Sequence, residues 1–359
     1  MKFKKADVLK TVKAHIEKLI KDHRAMNEAR LPSERNIALD LGVSRGSVSK
    51  VLSEMAASGA ILRRHGSGIY IPEEVASLKR LSIGIGLRCV NYIGDSHFTK
   101  VINGLSSYSS RNNANIQIFD RLQEHFQVSD IDNKVLSALK SKLVDAFIII
   151  SRMPVDVVSK IRGHMPVVLL NNTIDCDNLV GVTSDYVKAA FLATRHLLEM
   201  GHSEIAYVTE EKNHPETRFN VSGMDLAMNS CGRNLDKSLC LTTGKNYDYM
   251  KKNILYFFKR NKRITAAFVR SDAVASVLIK TLSASGFDIP GDISVVSVGN
   301  YACSQPEALN MTTVDNKLES MAEKSIEAVV GMLREGKGDG EIHVLEPELI
   351  KRGTVCKRN

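Results

Sequence analysis

One stretch of this sequence has the side-chain types and spacing to do chemistry on another polymer. Between Leu31 and Ile71, Arg35, Arg45, Lys50, Arg63 and Arg64 alternate with Ser44, Ser47 and Ser49, and the run ends on His65-Gly66-Ser67-Gly68. Guanidinium, ammonium and hydroxyl donors this close together suit nucleic acid: an arginine can bridge guanine O6 and N7, while shorter donors fix phosphates. Other constellations are weaker. Gly84-Ile85-Gly86 follows an apolar run, but Cys89 stands where a dinucleotide loop needs its third glycine. His196 and Glu199 have the i, i+3 spacing of metal ligands, yet Gly201 breaks the helix before His202, so packing is the better reading. Asp130 and Asp132 read as helix caps rather than catalytic carboxylates. No Ser/His/Asp or Cys/His set has the matching context. The sequence points to no enzyme, cofactor or metal.

The donors need elements to position them. Ser33 caps a helix in which Ile37, Ala38 and Leu41 recur at helical spacing, and Gly42 ends it. Ser44 caps a second helix whose apolar stripe is Val48, Val51, Leu52 and Met55. Opposite that stripe, Arg45, Ser47, Ser49 and Lys50 face outward near the helix start, the placement that suits a major groove. Ile61–Arg64 and Ile69–Ile71 alternate as strands of a hairpin, with His65–Gly68 at its tip. The ordered set LPSER, LGVSR, Val48–Leu52 and RRHGSGIYI resembles the winged helix-turn-helix of the GntR family over about Ala6 to Ile71. The resemblance implies DNA contacts by Arg35, Arg45 and the wing tip His65, Gly66, Ser67 and Gly68. That family usually carries arginine where Ser49 stands, a change in the operator read rather than in the ability to bind.

Charge agrees with this placement. Residues 1–80 hold 16 of the 49 Lys+Arg but only 9 of the 40 Asp+Glu, so the basic excess sits on the candidate DNA module. At 359 residues the chain is long enough for further domains. Met1–Lys5 is basic without a following apolar core, so no secretory leader is read, and no apolar run is long enough to span a membrane. The six cysteines lack CxxC spacing, which suits reduced thiols in the cytoplasm.

Beyond the polar connector 73–80 the pattern changes. Short apolar runs (Leu81–Leu87, Ile116–Phe119, Ala146–Ile150, Val167–Leu170, Val180–Val182, Ile205–Thr209, Ala266–Val269, Ile293–Val298) alternate with amphipathic helical stretches, among them Phe98–Ser110, Asp130–Lys142, Tyr186–Met200 and Asp272–Ser285. Buried runs separated by helices are the mark of parallel βαβ units, here enough for two lobes. VVLLNN, HLLEMGHSEIAYV, AAFVRSDAVA, GFDIPGDISVVSVGN and PELIKRGTV resemble the LacI/GalR effector domain, which has the fold of periplasmic sugar-binding proteins. The expected class is α/β: an N-terminal winged helix-turn-helix over 1–72, then a two-lobed effector domain of parallel sheets over 81–359. The resemblance places the lobe crossings near Asn171, Tyr301 and Gly336, giving one lobe 81–170 with 303–335 and the other 171–302 with 338–357. The combination resembles the architecture of arabinose-responsive repressors.

The resemblance also implies a ligand set in the interlobe cleft. Carried over by motif, it falls on Asp95, Asp185, Asn220 (where the family has arginine, with Arg218 nearby), Ser271, Asp272 and the Gly299-Asn300 pair; Asn171 lies at a crossing. Tyr92, His97, Phe98 and Tyr301 offer rings for stacking. Asp272 stands out independently, because it follows the run Ala266–Val269 at the carboxyl end of a strand, where open α/β sheets bind ligands. The expected function is a homodimeric, metabolite-responsive DNA-binding repressor whose small effector is a carbohydrate. Two other classes are open to the same residues. A fused pyridoxal-phosphate enzyme would need a longer chain and a lysine motif, and a transport binding protein would need a leader and no DNA module.

Overall fold

The computed structural model describes residues 5–25, 30–64, 68–72, 81–87, 96–111, 114–119, 137, 139–141, 143–150, 153–171, 179–335 and 340–358. They divide into two compact units, Met1–Leu81 and Ser82–Asn359.

In the first unit, α1 (Lys5–Ala25), β1 (Arg30–Leu31), α2 (Glu34–Leu41), α3 (Arg45–Ala57), β2 (Leu62–Arg64) and β3 (Gly68–Tyr70) surround one core. Both expected caps form: Ser33 Oγ accepts from Asn36 N at 3.2 Å and Ser44 Oγ accepts from Ser47 N at 3.2 Å. Gly42 ends α2 at φ 62°, a left-handed conformation that a side chain would strain. Val12 and Ile16 of α1 pack with Ile37, Val48, Val51, Leu52, Ile61, Ile69 and Ile71. The hairpin has a third strand that the alternation did not reveal. The two-residue β1 pairs antiparallel with β3 (Leu31 opposite Ile69), because burying Leu31 fixes it against the wing.

The second unit contains two six-stranded sheets. Sheet one runs β14-β8-β7-β6-β4-β5, formed by Ile342–Leu345, Val180–Ser184, Val167–Leu170, Ala146–Ile149, Leu81–Gly86 and Ala114–Phe119. Sheet two runs β10-β9-β11-β12-β13-β15, formed by Cys240–Thr242, Ile205–Thr209, Ala266–Val269, Ser294–Val298, Thr313–Asp315 and Glu348–Ile350. The central strands of both pair in parallel, and at the edge of sheet two β15 runs antiparallel to β13. Helices α4 (Ser96–Arg111), α5 (Val155–Arg162) and α10 (Leu318–Glu335) serve sheet one. Helices α6 (Tyr186–Glu199), α7 (Pro215–Ser230), α8 (Tyr247–Arg260) and α9 (Asp272–Ser283) cover sheet two, α6 and α7 on one face and α8 and α9 on the other. Both faces are dry, which is why these strands read as unbroken apolar runs.

The pairing corrects the expected lobe limits. Val180–Ser184 pairs with β7 and β14 in sheet one, and Thr313–Asp315 pairs with β12 and β15 in sheet two. The chain therefore crosses after Ser184, after Asp315 and after Leu345, not near Asn171, Tyr301 and Gly336. Asn171 (φ 54°) and Asn300 (φ 53°) do end strands in left-handed turns, but the next strand returns to the same sheet. A turn signal marks the end of a strand and says nothing about which sheet receives the next one. Gly84 is explained by packing, since a Cβ there would lie 2.8 Å from the Phe147 ring.

Candidate functional site

In the first unit, Arg35, Arg45 and Lys50 are exposed, Arg45 opening α3 where its guanidinium can reach outward. The serines do more local work than the sequence suggested. Ser44 and Ser47 share a hydroxyl contact of 2.9 Å at the helix start. Ser49 is half-buried and lies 3.5 Å from Arg63 Nη2. Arg63, a candidate phosphate contact, is instead a clamp: it pairs with Glu34 of α2 and donates to Ser53 Oγ of α3 at 2.7 Å, fixing the wing to the recognition helices. Arg64 ends β2 and Gly68 opens β3; the tip residues His65, Gly66 and Ser67 lie outside the described residues.

In the second unit, the carboxyl ends of the two sheets contribute side chains that meet between the lobes. Asn171 follows β7, Glu210 follows β9, Arg270 follows β11 and Tyr301 lies just past β12. His97, at the start of α4 in lobe one, sets Nδ1 3.1 Å from the Tyr301 hydroxyl of lobe two, with the rings edge to face at 6.3 Å. Its Nε2 lies 3.4 Å from Asn171 Nδ2, and Asn171 Oδ1 accepts the hydrogen of Tyr186, the first residue of α6. Since an amide nitrogen can only donate, His97 accepts at Nε2 and carries its proton on Nδ1. Lys100 Nζ donates to Asn300 O at 3.2 Å and lies 3.6 Å from Asp315, a second tie between lobes.

An ionic group lies beside these rings. Because β9 and β11 are parallel neighbours, the residues just past them meet: Arg270 Nε donates to Glu210 Oε2 at 2.9 Å and its Nη2 to Oε1. Arg270 Nη1 donates to Glu216 Oε2 of α7 at 3.1 Å. One guanidinium thus serves two carboxylates. Burial raises Glu216 to about 7, offset in part by a hydrogen bond with Tyr186, and burial then the nearby Glu216 charge push the Tyr186 phenol well above its ordinary range.

Of the expected ligand set, the structure brings together His97, Asn171 and Tyr301. The others are engaged elsewhere. Asp272 is fully buried and accepts from Ser297 Oγ and Thr313 Oγ1, each at 2.6 Å, and from Tyr301 N at 2.7 Å, so it anchors the loop after β12 instead of facing the cleft. Asn220 is buried and donates to Tyr207 Oη at 3.1 Å, beneath α7. Arg218 is exposed, its guanidinium 4.7 Å from the Phe219 ring. Asp185 and Ser271 cap α6 and α9. Asn300 is held by Asp315, Gln305 and Arg352, and Phe98 is buried. Tyr92 and Asp95 lie outside the described residues, as do Asp130 and Asp132. His202 bridges Thr265 Oγ1 at 3.0 Å and Cys356 O at 3.1 Å, a packing role in which burial lowers its pKa.

Residues 9–71 match the model for bacterial regulatory proteins of the gntR family, and residues 194–355 match a periplasmic binding protein-like domain. The chain joins a gntR-type DNA-binding module to a periplasmic-binding-protein-like domain. Its relatives include the HTH-type transcriptional regulator RegA of Clostridium saccharobutylicum, 25% identical over 89% of this chain and 98% of that protein. The arabinose metabolism transcriptional repressor of Halalkalibacterium halodurans is 22% identical over 96% of each. Among solved structures, a LacI family transcriptional regulator from Enterococcus faecium with bound ribose superposes with a TM-score of 0.64, at 20% identity over 77% of this chain and all of that one.

Arg270, Glu210, Glu216 and Tyr186 escaped the sequence reading of the periplasmic-binding-protein-like domain. A signal for two of them was present: Glu210 directly follows Ile205–Thr209 and Arg270 directly follows Ala266–Val269, so the same carboxyl-end rule that drew attention to Asp272 applied to the residues directly after these strands, at Arg270 two residues earlier.

Proposed function

We propose that this protein is a ligand-responsive transcriptional repressor that works as a homodimer in the cytoplasm. The gntR-type module binds a near-palindromic operator, and a small carbohydrate bound between the lobes changes operator affinity. The observation that carries this reading is the presence, on one chain, of a DNA-binding module with Arg35, Arg45 and Lys50 exposed and a second unit whose facing strand ends are bridged by His97, Asn171, Tyr186 and Tyr301. The names of the arabinose repressor and of the ribose-bound regulator support a carbohydrate effector. Hydroxyl groups of such a ligand would exchange partners with these amide, imidazole and phenol groups, and a coupling of about 1–3 kcal/mol between cleft and operator is the usual range.

The test is a gel-shift titration with an operator selected from random DNA, repeated over a panel of sugars. At least one sugar should move the wild-type midpoint; a midpoint that no sugar moves would remove the carbohydrate reading. Arg45→Ala should weaken operator binding by about 1–3 kcal/mol at one base position per half-site, since it opens the exposed face of α3. Wild-type affinity for the selected site would exclude Arg45 from base contact. Light scattering at micromolar concentration should give the mass of a dimer, as a two-fold operator requires a two-fold protein; a monomer both with and without DNA would refute that arrangement.

A further inference from the structure

The charges of Glu210, Glu216 and Arg270 do not balance. The Arg270 guanidinium, 13% exposed, donates through two nitrogens to Glu210 and through Nη1 to Glu216 Oε2 at 3.1 Å. Two carboxylates thus share one cation. His214 does not supply the difference: its Nδ1 lies 4.0 Å from Glu216 Oε2 but accepts from Glu216 N at 3.3 Å, so that nitrogen carries no proton and the ring is neutral. Lys245 pairs with Glu211 and Lys100 with Asp315. A sheltered carboxylate that shares its cation gains from any further positive group brought against it.

Asn316 points the same way on separate grounds. It follows β13, where the chain crosses into lobe one, at the same carboxyl edge of sheet two as Glu210 and Arg270. Its side chain is 6% exposed, and its Oδ1 meets no donor among the described residues. Thr313 Oγ1 donates to Asp272 of α9, whereas Val314 packs with Ala189 and Ala190 of α6. Alternation along the strand then sets Asn316 on the α6 side, at the helix end that Tyr186 opens. A buried carbonyl without a donor costs stability until a donor reaches it. Both features call for hydrogen-bond donors, and the glutamates also call for positive charge. We infer that the effector is a cationic carbohydrate, an amino sugar whose ammonium group sits against Glu216 and Glu210 and whose hydroxyl donates to the Asn316 carbonyl. A sugar acid or phosphate would instead meet two carboxylates around one guanidinium. Burial raises Glu216 to about 7, and the adjoining ammonium holds it ionised.

The inference rests on the carbohydrate reading above, and the experiment separates the two. Calorimetric titrations of the full-length chain compare glucosamine, galactosamine and mannosamine with their parent hexoses, their N-acetyl forms and glucuronate. At least one amine should bind about tenfold or more tighter than both its parent and its N-acetyl form, the worth of one charge-assisted hydrogen bond. That margin should shrink as ionic strength rises, and glucuronate should not compete. Glu216→Gln should erase the margin. Asn316→Leu removes an acceptor that no described protein group uses, so it should weaken amine and parent alike by about tenfold while keeping the wild-type urea midpoint. A lowered midpoint with unchanged sugar affinity would make Asn316 structural and remove it from the site. The comparison of amine with parent needs no variant, so it decides the matter even where a substitution prevents folding. If the sugars that bind do so no better as amines, or if Glu216→Gln keeps the margin, the cationic effector is wrong and the carbohydrate reading stands. If neither an amino sugar nor any sugar of the operator panel binds, both fall.

Discussion

Gly223→Ala is expected to destabilise the effector unit by about 2–3 kcal/mol, although alanine is the better helix former. Gly223 lies within α7, where α7 packs on α6, and a Cβ built there would sit 2.2 Å from Val187 O, 2.7 Å from Ala190 Cβ and 2.9 Å from Phe191 N. Two of these three neighbours are backbone atoms, so no rotamer change relieves the overlap; the helices must separate. Replacing glycine by alanine in an open helix gains about 0.5–1 kcal/mol. Forcing added volume into a packed site costs about 1–3 kcal/mol, more where backbone must move. The clash outweighs the propensity. Gly331→Ala supplies the control, since Gly331 is also helical (in α10) and its Cβ would meet nothing within 4 Å. It should stabilise by about 0.5–1 kcal/mol. Urea denaturation of the full chain, followed on the effector-unit transition, should move the two midpoints in opposite directions. Two alanine variants shifting the same way would show that helix propensity, not the α6–α7 approach, governs position 223.

Local signals carried well from sequence to structure where the outcome is settled within a few residues. Ser33, Gly42 and Ser44 bound their helices as read, because capping and left-handed turns are decided by adjacent backbone. The central strand runs were legible because both of their faces are buried, as at Ala146–Ile149, Val167–Leu170, Ile205–Thr209 and Ala266–Val269. What could not be read was partnership at long range. Asn220, Asp272 and Asn171 all looked like polar residues awaiting a ligand, yet Asn220 meets Tyr207 and Asp272 meets Ser297, Thr313 and Tyr301, partners up to 41 residues away. Arg63 looked like a wing-tip donor until Glu34, 29 residues upstream, was found against it. The short β1 and the sheet membership of Val180–Ser184 and Thr313–Asp315 depend on the same kind of distant pairing.

Asp272→Ala should cost about 3–5 kcal/mol and act on the cleft only through Tyr301. The carboxylate is fully buried and accepts three hydrogen bonds, from hydroxyls on β12 and β13 and from the backbone N–H that begins the turn carrying the Tyr301 ring. Alanine leaves all three donors without an acceptor in a dry site, at about 1–3 kcal/mol for each that water or rotation does not rescue. The two hydroxyls can rotate to other acceptors, and Ser297 Oγ already lies 2.9 Å from Met311 Sδ, so the total falls short of the simple sum. Asp272→Asn should cost less, about 1–3 kcal/mol. Its carbonyl oxygen still accepts from Ser297 and Thr313, but its NH2 then faces the Tyr301 N–H, donor against donor. A helix-capping role would leave Asn harmless, yet the cap of α9 is Ser271, which accepts from Val274 N. Chemical denaturation gives the stability of both variants, and limited proteolysis reports whether the loop at Gly299–Tyr301 has been released. If Asp272→Asn kept full stability and an intact loop while effector binding fell tenfold or more, the carboxylate would be a ligand contact and the anchoring role would be wrong.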